Sequence, residues 1–424
     1  MGAVPGKGSV ARNAAWRALQ VGARYGVTLL VTLIAARLLD PGSFGVYGYL
    51  MAVVFLLAIV GDFGISAAAS RSAALLAATS PSRIGSLVSS ASLAIAALGA
   101  AVSAALLLAG PRVVGKGTDM IPLLVPILFL SPLSSLLDGI YRGTERFRRL
   151  AIVSTAVGVL ALPATWILTR RYGLAGAVGS QALFYAMLFA GLAPGLGSRA
   201  LAPSLRVLRE VVPFAATLGL ANLAYFLYTR IDILVLERAG LVVDIGYYVL
   251  ATRALDVLGL PFLIHGQAAG PRSTRLWESG SVDELRRGMR VGAALAAAGS
   301  ALLCGATVVL APVLIRLLLP AYDVPLVYTC LWMLLALLPV KAWGLFLTQG
   351  FLVPTGQGRI VLHSTWIGGL ANVALDIALV TRFGLVGVVA ATLAVHSVAI
   401  AAQTALYLRS LARARRNPPP APTA

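Results

Sequence analysis

The chain has 424 residues, 59% of them hydrophobic and only 12% charged, with a mean hydropathy of +0.89. That is too apolar for a water-soluble globular domain. Its net charge of +19 would suit a nucleic-acid partner in a soluble protein. Here the charges cluster between apolar runs of membrane-spanning length, which argues against such a surface.

Twelve apolar runs are predicted as helices, over residues 14–38, 44–68, 84–109, 120–140, 150–169, 174–195, 211–236, 243–266, 290–318, 325–349, 360–380 and 384–408. Each suits the roughly 20 residues that cross a bilayer core about 30 Å thick. The reading is an all-α polytopic membrane protein. It comprises a cytoplasmic arm (1–13), a six-helix lobe (14–195), a cytoplasmic linker with an interfacial helix (196–210), a second six-helix lobe (211–408) and a disordered cytoplasmic tail (409–424). An even number of spans puts both termini on one side. With that side cytoplasmic, 22 of the 34 Lys and Arg lie there, counting Arg17 and Arg290 at span ends. Eight lie opposite, counting Arg37 and Arg316, and four remain in the spans: Arg24, Arg230, Arg253 and Lys341. This asymmetry fixes the expected orientation in the cell membrane. The first apolar run reads as a retained helix, with no cleavage site.

The halves repeat. At an offset of 211 residues Thr144, Arg148 and Gly158 match Thr355, Arg359 and Gly369, and Arg171-Tyr172-Gly173-Leu174-Ala175-Gly176 matches Arg382-Phe383-Gly384-Leu385-Val386-Gly387. Earlier in the chain Phe44-Gly45-Val46-Tyr47 matches Ile245-Gly246-Tyr247-Tyr248 at an offset of 201. A chain that repeats itself once at half its length reads as two related bundles.

In chain order, Arg17 and Arg24 share a face of the first helix, and only Arg17 is shallow enough to reach the headgroups. A turn at Asp40-Pro41-Gly42-Ser43 leads to the second helix, which ends in Gly61-Asp62-Phe63-Gly64. Asp62 can cap a helix break there, pair with Arg71 or serve as a coupling carboxylate; the structural roles are favoured. Helices three to six are rich in small residues that let helices pack closely in lipid. Asp138 with Arg142, Arg146, Arg148 and Arg149 marks a cytoplasmic loop that obeys the positive-inside rule and also suits an anionic headgroup. Arg199, Arg206 and Arg209 mark the linker.

Helix seven carries Asn222, Tyr225, Thr229 and Asp232 at helical spacing, a polar stripe suited to a cavity wall. Helix eight continues with Tyr248, Thr252 and Asp256, and Arg253 lies three residues from Asp256, the spacing of a local salt bridge. Arg230 lies nearer the outer end of helix seven, where it can snorkel. Residues 270–289 read as a solvated surface loop with a helical end. Lys341 and Gln349 fall on helix ten, His363, Asn372 and Asp376 on helix eleven, and His396 on helix twelve, with interhelical hydrogen bonding the favoured use of either histidine. Cys304 and Cys330 have neither disulfide nor metal-ligand spacing and read as packing residues. The sequence contains no phosphate-binding glycine loop, catalytic triad, HExxH, CxxC pair or dinucleotide fingerprint, so a transporter is favoured over an enzyme, with no cofactor and no metal.

The residues resemble a known family. Ala36-Arg37-Leu38-Leu39, Phe44-Gly45-Val46-Tyr47 and Asp62-Phe63-Gly64 with Arg71 carry the likeness in the first lobe. Asp232-Ile233-Leu234, Gly246-Tyr247-Tyr248, Pro271, Asn372 through Asp376 and Gly384-Leu385-Val386-Gly387 carry it in the second. Over residues 12–408 the chain resembles a Wzx-type flippase of the multidrug/oligosaccharidyl-lipid/polysaccharide exporter superfamily. The resemblance implies two lobes around a cavity that opens alternately to each side, and a polyprenyl phosphate- or pyrophosphate-linked oligosaccharide as cargo. The expected partners are membrane lipid and a possible coupling ion, H+ or Na+, and the chain is expected to be a monomer. Position 376, where the family pattern often has Asn, is Asp here. The candidate cargo-binding residues are Arg24, Arg253, Lys341, Asn222, Tyr225 and Thr229; the candidate ion-coupling residues are Asp62, Asp232, Asp256 and Asp376. Two alternatives stand beside this reading. A drug or organic-cation antiporter of the same superfamily calls for an acidic, aromatic cavity, and a membrane-embedded polymerase or glycosyltransferase calls for larger loops.

Overall fold

The computed structural model of the chain describes residues 7–196 and 203–416, all helices and turns. Thirteen α-helices follow one another: α1 (Lys7–Leu38), α2 (Pro41–Asp62), α3 (Ile65–Thr79), α4 (Ile84–Val113), α5 (Ile121–Gly143), α6 (Phe147–Leu192), α7 (Leu205–Thr229), α8 (Ile231–Arg238), α9 (Val242–Glu278), α10 (Val282–Leu318), α11 (Pro325–Ala336), α12 (Leu338–Leu347) and α13 (Gly358–Arg416). Ten stretches among the described residues are long and apolar enough to cross a membrane. Two of them, α6 and α13, break at an interior glycine and each make two spans, which yields the twelve expected.

The apolar surface needs an apolar solvent. In the most hydropathic window of α10 only 6% of residues are buried, and Leu302 is 74% exposed. Leaving such a helix in water would forfeit the burial of many leucines, each worth about 1.5–3 kcal/mol. The protein is a multi-pass membrane protein.

Two compact units divide the chain, Met1–Leu223 and Ala224–Ala424, with the boundary inside α7. In the first unit Val207, Val211 and Ala215 at the start of α7 are buried with Ile65, Ala69, Leu87, Ile95 and Leu136. The helix expected in the linker is therefore the first part of α7, held in this core by apolar residues at i, i+4 and i+8. Asp40 caps α2, its Oδ1 accepting from the backbone N–H groups of Gly42 (2.9 Å) and Ser43 (3.0 Å). Hydrogen bonding from Ser43, foremost, holds the Asp40 carboxyl below its ordinary value. The cap is thus in place above the ordinary carboxylate range and is lost as pH falls through that lowered value. Between α2 and α3 both Phe63 (φ 38°) and Gly64 (φ 82°) are left-handed. Asp62 caps this break, accepting from the backbone N–H groups of Gly64 (3.2 Å) and Ser66 (3.1 Å) and from the Ser66 hydroxyl.

The repeat is written in the backbone. Gly173 (φ 56°, ψ −132°) and Gly384 (φ 55°, ψ −135°) fold α6 and α13 back on themselves with the same geometry. Three residues on, Gly176 and Gly387 press against the carbonyls of Leu168 and Leu379, again 211 positions apart. Glu145 (φ 56°) occupies the left-handed position that Gly356 (φ 75°) takes in the second half.

Three expectations are corrected. The loop over 270–289 is a helical hairpin, in which only Ser279, Gly280 and Ser281 separate α9 from α10. Gly280 (φ 70°) makes the turn, and Val282, Leu285 and Met289 bury one face against Phe346, Phe351 and Tyr407. The tail is helical to Arg416 rather than disordered, because Tyr407, Leu411 and Ala414 join the same core and Arg415 pairs with Asp283 at 3.3 Å. The arm is helical from Lys7, continuous with α1. Residues 417–424, Arg199 and the side chain of Arg17 lie outside the described residues.

Candidate functional site

The second unit gathers three of the four intramembrane cations, and it does so around the break between α7 and α8. Near the end of α7 Thr229 turns its hydroxyl back to the Tyr225 carbonyl (2.7 Å), a bond that competes with the helical ladder. Arg230 closes the last turn with its N–H on Phe226 (2.8 Å) and stands as the N-cap of α8 at φ −141°. The polar stripe expected on helix seven is therefore split. Asn222 and Tyr225 stay exposed on α7, whereas Asp232 is carried by α8 into the interior.

Three cations meet one carboxylate. Lys341 Nζ lies 2.7 Å from Asp256 Oδ1, while Arg230 Nη2 lies 3.0 Å and Arg253 Nη1 3.7 Å from Asp256 Oδ2. The participants come from the α7–α8 break, from α9 and from α12. Arg230 does not snorkel; the interior carboxylate draws it inward. All four side chains remain partly open, at 19–31% exposure. Lys341 rides on a ten-residue helix between the break at Leu337 and a π-turn over Thr348–Leu352 that contains Gln349.

A second cluster is closed. Asp232, Asn372 and Asp376 are each 0% exposed. The Asn372 amide donates to Asp232 and to Asp376 (3.2 Å), and the Tyr248 hydroxyl donates to Asp232. Thr392 Oγ1 lies 3.4 Å from the Tyr248 oxygen. Two further buried oxygens, Asn372 Oδ1 and Asp376 Oδ1, accept no hydrogen bond among the described residues. The clusters share elements: Arg230 and Asp232 flank the start of α8, and Tyr248, Thr252 and Asp256 follow one face of α9.

Other candidates fall elsewhere. Arg24 is exposed on α1 and makes no ion pair among the described residues. Asp62 serves the α2–α3 break, and Arg71 lies over the Phe214 ring at 4.6 Å. Asp138 holds Arg142 at 2.7 Å and accepts from Gln20 at 2.8 Å. His363 is exposed. The bond of His396 is intrahelical, its Nδ1 2.9 Å from the Thr392 carbonyl, while its ring stacks on Tyr228 at 4.0 Å. Cys304 and Cys330 are free thiols.

The repeat separates what the fold needs from what the second unit adds. At the 201-residue offset Arg230, Asp232, Arg253 and Asp256 correspond to Leu29, Val31, Ala52 and Phe55. At 211, Asn372 and Asp376 correspond to Ala161 and Thr165. Val31 and Ala161 are buried in the first unit. The first unit carries none of these charges, and its α1 runs unbroken through Leu29 and Val31 where the second unit breaks at Arg230, so the clusters are an addition of the second unit. Sequence reasoning passed over Thr392 and discounted Arg230; subtracting one half from the other exposes both the Arg230–Asp232 pair and the Asn372–Asp376 pair.

The family model described as "Polysaccharide biosynthesis protein" matches residues 10–277. The chain belongs to that family. No curated relative matches it. Among solved structures it is similar to a multidrug resistance MATE family transporter of the MOP superfamily in an inward-facing conformation. The TM-score is 0.77 at 16% identity, over 93% of this chain and 96% of the other. An outward-facing MATE family transporter gives 0.67 at 18%, over 96% of each chain. A MOP superfamily transporter from Pyrococcus furiosus, described by a binding pocket of reverse polarity that suggests a different function, gives 0.68 at 15%, over 96% of each chain. The fold of this polysaccharide biosynthesis family member is that of the MOP superfamily transporters.

Proposed function

We propose that the chain moves an anionic lipid-linked glycan, on a polyprenyl phosphate or pyrophosphate, across the cell membrane by alternating access. The observation that carries this reading is the meeting of Arg230, Arg253 and Lys341 on the single carboxylate of Asp256, partly open within an apolar bundle. Carrying a phosphate through hydrocarbon unaided costs many kcal/mol. Cations held in the bundle replace its lost hydration, while the polyprenyl tail stays in lipid. Arg24, Asn222, Tyr225 and Thr229 belong to the same proposed route as contacts for headgroup and sugar. A multidrug antiporter shares the fold, but an organic cation is repelled by this cluster.

The closed cluster supplies the coupling. Two buried carboxylates on one amide cannot both keep their charge without a proton or a monovalent cation between them. The oxygens of Asn372 and Asp376 that receive no donor, together with the hydroxyl of Thr392, give such an ion its further ligands. Proton or Na+ entry there favours one state of the carrier.

The test is flipping of a fluorescent polyprenyl-pyrophosphoryl sugar in proteoliposomes. Arg253→Gln is expected to slow it about tenfold or more, the worth of one charge-assisted hydrogen bond. Arg24→Gln is expected to leave almost no activity and Arg24→Lys part of it, since Lys keeps the charge without the planar fork. Full activity in well-folded Arg24→Gln and Arg253→Gln proteins refutes the anionic cargo. The orientation is tested separately by single cysteines in a background lacking Cys304 and Cys330. In intact cells a cysteine at Ser204 is expected to be shielded from an impermeant reagent and one at Gly117 labelled. Labelling of both from outside overturns the assignment of cytoplasmic termini.

A further inference from the structure

We infer that Asp256 is a built-in counter-anion, which holds Arg230, Arg253 and Lys341 together between transport events and yields them to the phosphate oxygens of the cargo. The inference rests on the reading of this cluster as the cargo's anion site and assigns Asp256 a positioning role rather than ion coupling. Three lines of geometry lead to it. One carboxylate engages cations from three separate elements, Lys341 on one oxygen and both arginines on the other. Remove it, and three like charges on different helices spread apart; keep it, and their donors point at one spot. Next, the cluster is partly open where the neighbouring carboxylate cluster is sealed, so an incoming anion can reach the donors. Last, the positions in the first unit that correspond to Arg230, Arg253 and Asp256 are Leu29, Ala52 and Phe55, so carboxylate and arginines occur together in the second unit and are absent together from the first.

A carboxylate is a well-chosen placeholder. It offers about four lone-pair sites, whereas two guanidinium groups and an ammonium offer many more N–H donors than it can accept. A phosphate or pyrophosphate presents more oxygens and more charge to the same donors, in the bidentate geometry that arginine matches best. Asp256 then competes with cargo. The cost in affinity is returned as release, since the carboxylate reclaims its cations as the cargo leaves.

The experiment compares wild type with Asp256→Asn in nanodiscs, titrated with inorganic pyrophosphate and read by calorimetry and by the thermal midpoint. Asn removes the competing charge at nearly constant shape. Asp256→Asn is expected to bind pyrophosphate about tenfold more tightly than wild type, and to gain more thermal stabilisation from it. In the flipping assay its half-saturating cargo concentration is expected to fall together with its maximal rate, because release is slowed. A merely structural role for Asp256 moves these readouts the other way: binding as weak as wild type or weaker, with a raised half-saturating concentration, overturns the inference. Should Asp256→Asn fail to fold, Asp256→Asn combined with Lys341→Gln restores the charge balance. That double variant is expected to bind more tightly than Lys341→Gln alone, and binding no tighter than Lys341→Gln refutes the role. Absence of pyrophosphate binding in wild type and variant alike brings down the anion site itself, and the inference with it.

Discussion

Asp232→Asn is expected to leave the protein folded and to cut gradient-driven transport about a hundredfold. The size is that of a strong coupling free energy between two sites. Asp232 is wholly buried and takes hydrogen bonds from Asn372 and Tyr248. An amide oxygen still accepts the Tyr248 proton, and the first unit tolerates Val31 at the matching position. The substitution therefore removes a charge without removing a buttress. With one carboxylate of the pair gone, Asp376 keeps a single buried charge, and the two-carboxylate site for the coupling ion no longer exists. The measurement is flipping in proteoliposomes under an imposed proton gradient and, separately, an imposed Na+ gradient, beside the thermal midpoint of the purified variant. The gradient that drives wild type is expected to do nothing for the variant, while the midpoint stays within a few degrees. An undiminished response to that gradient in Asp232→Asn removes the closed cluster from the transport cycle.

The link between the two clusters follows from a short piece of chain. Arg230 occupies the N-cap position of α8 and Asp232 sits in its first turn. A movement of α8 that adjusts one cluster is therefore felt at the other. On α9 Tyr248 touches Asp232 and Asp256 touches Arg230, two turns apart on the same face. In the proposed reading ion and cargo bear on the same two helices, which is what a carrier requires if each ligand is to bias one equilibrium.

The spans, their number and the duplication were legible because lipid leaves no freedom: each crossing must be a long apolar helix, and the repeat preserves its glycines. What misled was polarity. The stretch over 270–289 carries many charges, yet Val282, Leu285 and Met289 recur at helical spacing beneath them, and that face folds the segment onto α12 and α13. The basic tail deceives in the same way, with Tyr407, Leu411 and Ala414 under its arginines. Of the candidate site, Lys341, Arg253, Asp232 and Asp376 were visible as charges in apolar runs. Their sorting into two clusters was not, because no local spacing relates Asp256 on α9 to Lys341 on α12. Nor does helical periodicity foresee the break at Arg230, which turns Asp232 away from Asn222 and Tyr225.

Gly176→Ala is expected to prevent folding of the first unit, while Gly179→Ala, three residues along the same helix, is expected to do no harm. At Gly176 an added Cβ overlaps the backbone carbonyl of Leu168 across the hairpin turned by Gly173. Backbone cannot rotate aside as a side chain can, so the two helices must separate. The tie between Thr165 and Ser180 (3.3 Å) is lost with that separation. A loss on the order of 4 kcal/mol or more places the substitution among the rare severe ones and near the whole stability of a domain. At Gly179 an added Cβ meets nothing within 4 Å. There alanine is neutral or better, because it replaces glycine inside a helix at a gain of up to about 1 kcal/mol. The duplicated site supplies a graded comparison. Gly387→Ala brings its Cβ to 2.5 Å from the Leu379 carbonyl, a somewhat less severe clash, and is expected to destabilise less than Gly176→Ala. The check is the yield of monodisperse protein after detergent extraction and the thermal midpoint of whatever is recovered. A Gly176→Ala protein with wild-type yield and midpoint would mean that the hairpin has room the geometry denies.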